Sequence, residues 1–166
     1  MIITKTEEEI ALMRENGILV SKTLAEVGKH IAPGVTTGHL NAIAESFIRD
    51  HGAVPAFLGY NGFPFTLCVS VNSTVVHGFP GDYRLKEGDI VSVDCGTKYK
   101  GFFGDSAYTF GVGQVSQAAE LLMRTTLESL FKVIEKAVAG NRVGDIGAAV
   151  QTHVEQRGFS VVREMV

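Results

Sequence analysis

Apolar and polar positions along the chain change period three times. Thr6 and Glu9 form a capping box, in which each side chain satisfies an orphan backbone N–H of a helix start. Ile10, Met13, Gly17, Val20, Leu24, Val27 and Ile31 then recur at spacings of three and four, and Pro33-Gly34 ends the run. This spacing predicts one face of a long helix. A second helix is predicted from a cap at Thr37, with Leu40, Ile43, Ala44, Phe47 and Ile48 as its stripe and Gly52 as its left-handed terminator. From Ala53 to Phe110 the pattern turns β-branched and aromatic. Thr66–Val76, Ile90–Thr97 and Phe102–Phe110 read as antiparallel strands between Gly, Asn and Pro turns. After Gly113 helices return. Ser116 caps one whose face carries Ala119, Leu122, Leu130, Val133, Ile134 and Ala137. A shorter one carries Ile146, Ala149, Val150 and Val154 and stops at Gly158, and Phe159–Val162 reads as the start of a strand.

A shift of 106 residues lays Gly34 on Gly140, Gly38 on Gly144, Ala42 on Ala148 and Gly52 on Gly158. Apolar positions coincide as well, Leu40 with Ile146 and Ile48 with Val154 among them. The same order of long helix, short helix, glycine and strand predicts a duplicated unit. Residues 1–166 are read as a single domain, with 1–110 the first copy and 111–166 the start of a second. The strands matching Thr66 to Phe110 do not follow, so the chain is expected to be a fragment of something longer.

The chain has 166 residues, 45% hydrophobic and 20% charged, which is the mix of a globular domain with a core and excludes a disordered chain. A net charge of −3 argues against a nucleic-acid partner. Two cysteines, Cys68 and Cys95, are too few for a disulfide scaffold and read as reduced core thiols. No apolar run approaches the roughly 20 residues of a membrane span. Met1–Glu9 lacks the basic start and apolar centre of a signal peptide. A cytoplasmic location is expected.

Candidate chemistry begins at Asp94 and Asp105. A hairpin centred between Tyr99 and Lys100 would set them directly opposite each other on one face. Carboxylates at roughly 4.5–5.5 Å repel unless a proton or a cation lies between them. Asp94 stands in an apolar run, where an unpaired charge is costly, and a bound metal would relieve burial and repulsion together. An odd loop, with Gly101 as a bulge, would put them on opposite faces. Oxygen donors suit hard divalent ions, and carboxylates bridging two ions are typical of two-metal hydrolases. Cys95 points away from Asp94 by strand alternation. Of the histidines, His30, His39 and His51 lie near helix ends, and His153 takes the repeat position of Phe47. His77 is placed where an apolar strand meets the Gly78-Phe79-Pro80 turn and could hydrogen-bond a reacting group. Phe57, Tyr60, Phe63 and Phe65 cluster before it, either as core or as an apolar pocket.

The segments Gly59-Tyr60-Asn61-Gly62-Phe63-Pro64, Cys68-Val69-Ser70-Val71-Asn72 and Val76-His77-Gly78-Phe79-Pro80 resemble those of type I methionine aminopeptidases. So do Gly88–Asp94, Gly101–Ser106 and Gly158–Glu164. The resemblance runs from about Thr6 to Glu164. It implies an α+β, pita-bread (creatinase/aminopeptidase) fold, with a curved antiparallel sheet backed by helices and a second half that is incomplete here. It implies removal of the initiator methionine from nascent proteins by a centre of two divalent ions (Co, Mn, Fe, Zn or Ni). Asp94 and Asp105 would be metal ligands, and His77 the catalytic histidine that contacts substrate. Phe57, Tyr60, Phe63 and Cys68 would line the methionine pocket, with Phe57 and Phe63 replacing the commoner Cys and Tyr. The family's remaining ligands, two histidines and two glutamates, would follow Glu164 and are absent from this sequence. Weak metal binding and little or no turnover are therefore expected of the chain. Its partners would be N-terminal methionine peptides and the ribosome, with no membrane and no direct nucleic-acid contact. A dimer through the incomplete sheet is also expected, because an open edge and an uncovered apolar face invite association. Two other readings are a non-catalytic binding module on the same fold, against which both aspartates speak, and a prolidase-like enzyme, which would carry an extra N-terminal domain.

Overall fold

The structure is a computed structural model and describes residues 3–163. Glu164, the last residue of the family-like motif, lies outside them. The chain forms two compact units, one through Val115 and one from Ser116.

The first unit opens with helix α1, Glu7–Gly28. The Thr6 hydroxyl accepts from Glu9 N and the Glu9 carboxylate accepts from Thr6 N, so the expected capping box is present. The helix ends before Ile31. Its buried face is Asn16, Leu19, Val20, Thr23, Leu24 and Val27, which keeps Val20, Leu24 and Val27 of the predicted stripe, while Ile10 and Met13 at its start are exposed. Asn16 explains the difference. It is fully buried and donates through Nδ2 to Thr97 O at 3.2 Å and Phe102 O at 2.9 Å, while its Oδ1 accepts from the Thr97 hydroxyl. A polar side chain so satisfied can occupy a core position that apolar periodicity does not mark.

Helix α2 spans Thr37–Asp50. Its cap is Thr36, whose hydroxyl accepts from His39 N, and not the expected Thr37. The Thr37 hydroxyl instead exchanges hydrogen bonds with Gly81 O and Gly81 N. Leu40, Ala44 and Ile48 are fully buried as predicted, each large side chain being worth roughly 1.5–3 kcal/mol of burial. Gly52 ends the helix in the left-handed conformation, φ 73°.

The antiparallel sheet comprises β1 (Val54–Pro55), β2 (Leu67–Val71), β3 (Ile90–Tyr99) and β4 (Phe102–Gly111). Strand β3 is central. It pairs β4 along one edge, and β2 and then β1 along the other. Val91, Val93, Cys95 and Thr97 are buried on the helix side of β3 and share a core with Val20, Val27, Leu40 and Leu67. The predicted strand Thr66–Val76 is shorter than expected. It stops at Val71 because Asn72 turns to φ 52°, and Val75 and Val76 lie exposed in the loop that follows.

The second unit holds α3 (Gln117–Lys136), capped by Ser116 as predicted, packed on α4 (Val143–Glu155). The stripe read from the sequence does not face α4. Thr125 and Ser129 are buried, while Leu130 and Ile134 remain 51% and 57% exposed. Among the described residues this unit has no strand that α3 could cover, and Phe159–Val162 is irregular rather than extended into a sheet. His153 is well buried, with Nε2 3.2 Å from Glu128 Oε2, and Arg157 lies 3.1 Å from the same carboxylate oxygen. Gly140 and Gly158 have φ of 95° and 80°, matching 89° at Gly34 and 73° at Gly52.

Candidate metal and substrate site

Hairpin β3–β4 is closed by Lys100 and Gly101, with φ of 49° and 89°, between the paired residues Tyr99 and Phe102. Two consecutive positive φ values are the requirement of a type I′ turn, and glycine meets it without side-chain strain. The hairpin centre therefore falls one residue later than the sequence reading placed it. Ala107, not Asp105, stands opposite Asp94, and Asp105 stands opposite Gly96. The loop remains even in length, so Asp94 and Asp105 still project from one face, as diagonal rather than direct neighbours.

That face is the one turned away from the helices. Asp94 is half-buried and Asp105 exposed. Burial, the Asp105 charge and a hydrogen bond to Asp105 together push the Asp94 carboxyl up to about 6, and the positive charge of a protonated His77 acts in the opposite sense. Two acids, one of which keeps its proton up to about pH 6, form a site short of positive charge. Cys68 is buried and reduced as expected, but it pairs with Asp94 across β2–β3 and shares its face, away from the helix-side cluster. Its thiol is pushed up to about 11 by burial and then by the two aspartates. Cys95 does lie on the core side, and burial first, then the same two charges, push it up to about 12. Both cysteines are free, and neither is a ready thiolate.

The donor chemistry suits a hard divalent cation, because both groups are carboxylates and one is destabilised as an anion. Their number is small. Among the described residues no cluster of three or more His, Cys, Asp or Glu side chains is positioned to hold a metal ion.

His77 lies in the 72–89 loop rather than at a strand end, with an exposed side chain and φ 55°. Buried Asp89 fixes the base of this loop, as its carboxylate accepts from Asn72 Nδ2, the Tyr83 hydroxyl and Lys86 N, each at 2.9 Å. These bonds hold the Asp89 carboxyl below its usual range even though its burial opposes this. The sequence reading took Gly88-Asp89 only as a turn signal and did not single out this carboxylate. Of the four pocket candidates, Phe57 lies against Gly96, and a Cβ at position 96 would overlap its ring. Phe57 thus covers the cross-strand neighbour of Asp105. Phe63 makes edge contacts with Phe65 and Phe79 at 5.9 and 5.3 Å between ring centres. Tyr60 is 70% exposed and stands outside this aromatic cluster. Phe79 was not among the pocket residues read from the sequence, and its position two residues after His77 was the available clue.

Comparison with known proteins gives the family and the fold. The Metallopeptidase family M24 profile matches residues 11–166. Methionine aminopeptidase of Clostridium perfringens is 55% identical over the whole chain, and methionine aminopeptidase 1 of Bacillus subtilis is 51% identical over the same span. The chain covers 67% of each of these proteins. The crystal structure of methionine aminopeptidase from Rickettsia prowazekii superposes with a TM-score of 0.97 at 40% identity, over 99% of this chain and 66% of that one. The chain thus spans about two thirds of the length of the relatives it matches, with their pita-bread architecture. It belongs to metallopeptidase family M24 and, within that family, to the type I methionine aminopeptidases.

Proposed function

We propose that the chain belongs to an enzyme that removes the initiator methionine from nascent proteins, with Asp94 and Asp105 as metal ligands. The observation that carries this is the convergence of the two carboxylates on one sheet face, with Asp94 raised to about 6. A divalent ion there would polarise the scissile carbonyl and lower the pKa of bound water. The chain's own residues do the rest. His77, near enough to influence Asp94, would donate or accept a hydrogen bond at the scissile group. Phe57, Phe63 and Cys68 would receive the methionine side chain, with Tyr60 at the exposed rim. Residues 1–110 and 111–166 are taken as two copies of one unit, supported by the paired left-handed glycines. The location is taken as cytoplasmic, and no described helix is long and apolar enough to cross a membrane. The ribosome is the further partner proposed. A dimer through β4, which among the described residues pairs only with β3, would cover the open sheet edge.

Two carboxylates alone hold a divalent ion weakly, so the 166-residue chain should bind Mn²⁺ poorly and hydrolyse methionyl peptides slowly. Calorimetric titration with Mn²⁺ and a Met-Ala-Ser assay test both statements. Binding should vanish in Asp94→Asn and Asp105→Asn. Mn²⁺ affinity that survives the double substitution would refute the assignment of these ligands.

A further inference from the structure

We infer that Ser70 is a positioning residue for His77, its hydroxyl holding the peptide plane between His77 and Gly78 and so setting where the imidazole stands over the Asp94 face. The inference rests on the proposed role of His77 at the scissile group.

Both backbone polar groups of Gly78, one in each of the peptide units that flank its Cα, are engaged by β2. Gly78 N donates to Ser70 Oγ at 3.2 Å, and Gly78 O accepts from Val69 N at 2.8 Å. The loop is thereby fastened to β2 at the residue that follows His77. No side chain fits at position 78. A Cβ there would overlap Val69 O and lie 2.9 Å from Val69 C and 3.1 Å from Ser70 Cα, all backbone atoms that cannot yield. His77 itself is held at φ 55°, a conformation that persists in a non-glycine residue only when its surroundings over-determine it. Ser70 is 5% exposed, and strand alternation puts it on the face of Cys68 and Asp94. A buried hydroxyl on that face must find a partner, and the one it has is the amide that carries the histidine.

The test uses the whole 166-residue chain as Ser70→Ala, Ser70→Thr, His77→Ala and the Ser70→Ala/His77→Ala double variant. Nuclear magnetic resonance reads amide exchange at Gly78 and the ring resonances of His77, and requires no activity. Ser70→Ala should speed Gly78 exchange by roughly three- to tenfold and shift the His77 ring signals, and Ser70→Thr should restore both. In the Met-Ala-Ser assay with Mn²⁺, Ser70→Ala should lower kcat severalfold with little change in KM, and cause no further loss when His77 is already alanine. Unmoved His77 signals in Ser70→Ala, or an equal activity loss with and without His77, would overturn the inference. Should His77→Ala itself leave turnover unchanged, or the parent show none, the proposed role of His77 fails or goes unread in that assay. The resonance measurement then decides the positioning alone.

Discussion

Replacing Asp94 by asparagine should stabilise the first unit at neutral pH and leave it nearly unchanged in acid. The Asp94 carboxyl ionises at about 6 in the folded chain against 3.8 as its ordinary value. The folded state therefore binds this proton more tightly than the unfolded state does. Below pH 3.8 the contribution of Asp94 to stability is fully present. It declines as pH rises through the window from 3.8 to about 6, and above that it is gone. A shift of this size corresponds to about 3 kcal/mol as an upper limit. Asp94 is only half-buried, and solvent screening brings the expected effect to roughly 1–2 kcal/mol. Asparagine keeps the shape and cannot ionise, so the variant should gain that amount over the parent on going from pH 4 to pH 7.5. Urea unfolding with a chelator present measures it. The chain has no tryptophan, and its four tyrosines, Tyr60, Tyr83, Tyr99 and Tyr108, all lie before Val115, so tyrosine fluorescence follows the first unit alone. Taking the difference between parent and variant removes the contribution of every titrating group that does not interact with Asp94, so the difference reads the Asp94 site together with its neighbours Asp105 and His77. A difference that stays constant between the two pH values, or that favours the parent at pH 7.5, would refute the electrostatic account of the Asp94–Asp105 pair.

Two further substitutions probe the frame around the site. Asn16→Ala leaves the buried Thr97 hydroxyl without its acceptor and removes a donor from the Thr97 and Phe102 carbonyls, and should cost roughly 2–4 kcal/mol in the same urea experiment, where a loss under 1 kcal/mol would contradict the role assigned to Asn16. Asp89→Asn weakens the bonds from Asn72, Tyr83 and Lys86. Because the folded pKa of Asp89 lies below 3.8, its stabilisation is present above that pH and lost as pH falls through the folded value, so the variant should be weaker by roughly 1–3 kcal/mol at pH 7 and close to the parent in strong acid.

What could be read before the coordinates depended on how local the physics was. Thr6, Ser116 and Gly52 act within one turn of chain, and their caps and stops were legible. The β3–β4 hairpin was legible, but neither the parity of its loop, left open between even and odd, nor its register was, since both depend on Lys100 joining Gly101 in the left-handed region. Val75 and Val76 look like strand and are loop, because Asn72 breaks the ladder before them. Asn16 was missed and Asp89 was read only as part of a turn for a common reason: the partners of Asn16 lie 81 and 86 residues away and those of Asp89 up to 17, which no periodicity reports. The site itself was half-legible. Asp94 was singled out by its acid-in-apolar context and Asp105 by the hairpin that brings it near, whereas the bond from Gly78 to Ser70 left no trace in an ordinary strand serine.

The Lys100–Gly101 turn also has consequences for which length changes this protein family can tolerate. Losing or gaining one residue there would exchange inside for outside along all of β4, carrying Asp105 to the helix side and Tyr108 and Phe110 to the opposite one. Insertions and deletions at this tip should therefore survive only in pairs, and a frame of surviving variants counted from Tyr99 to Phe102 would show that arithmetic directly.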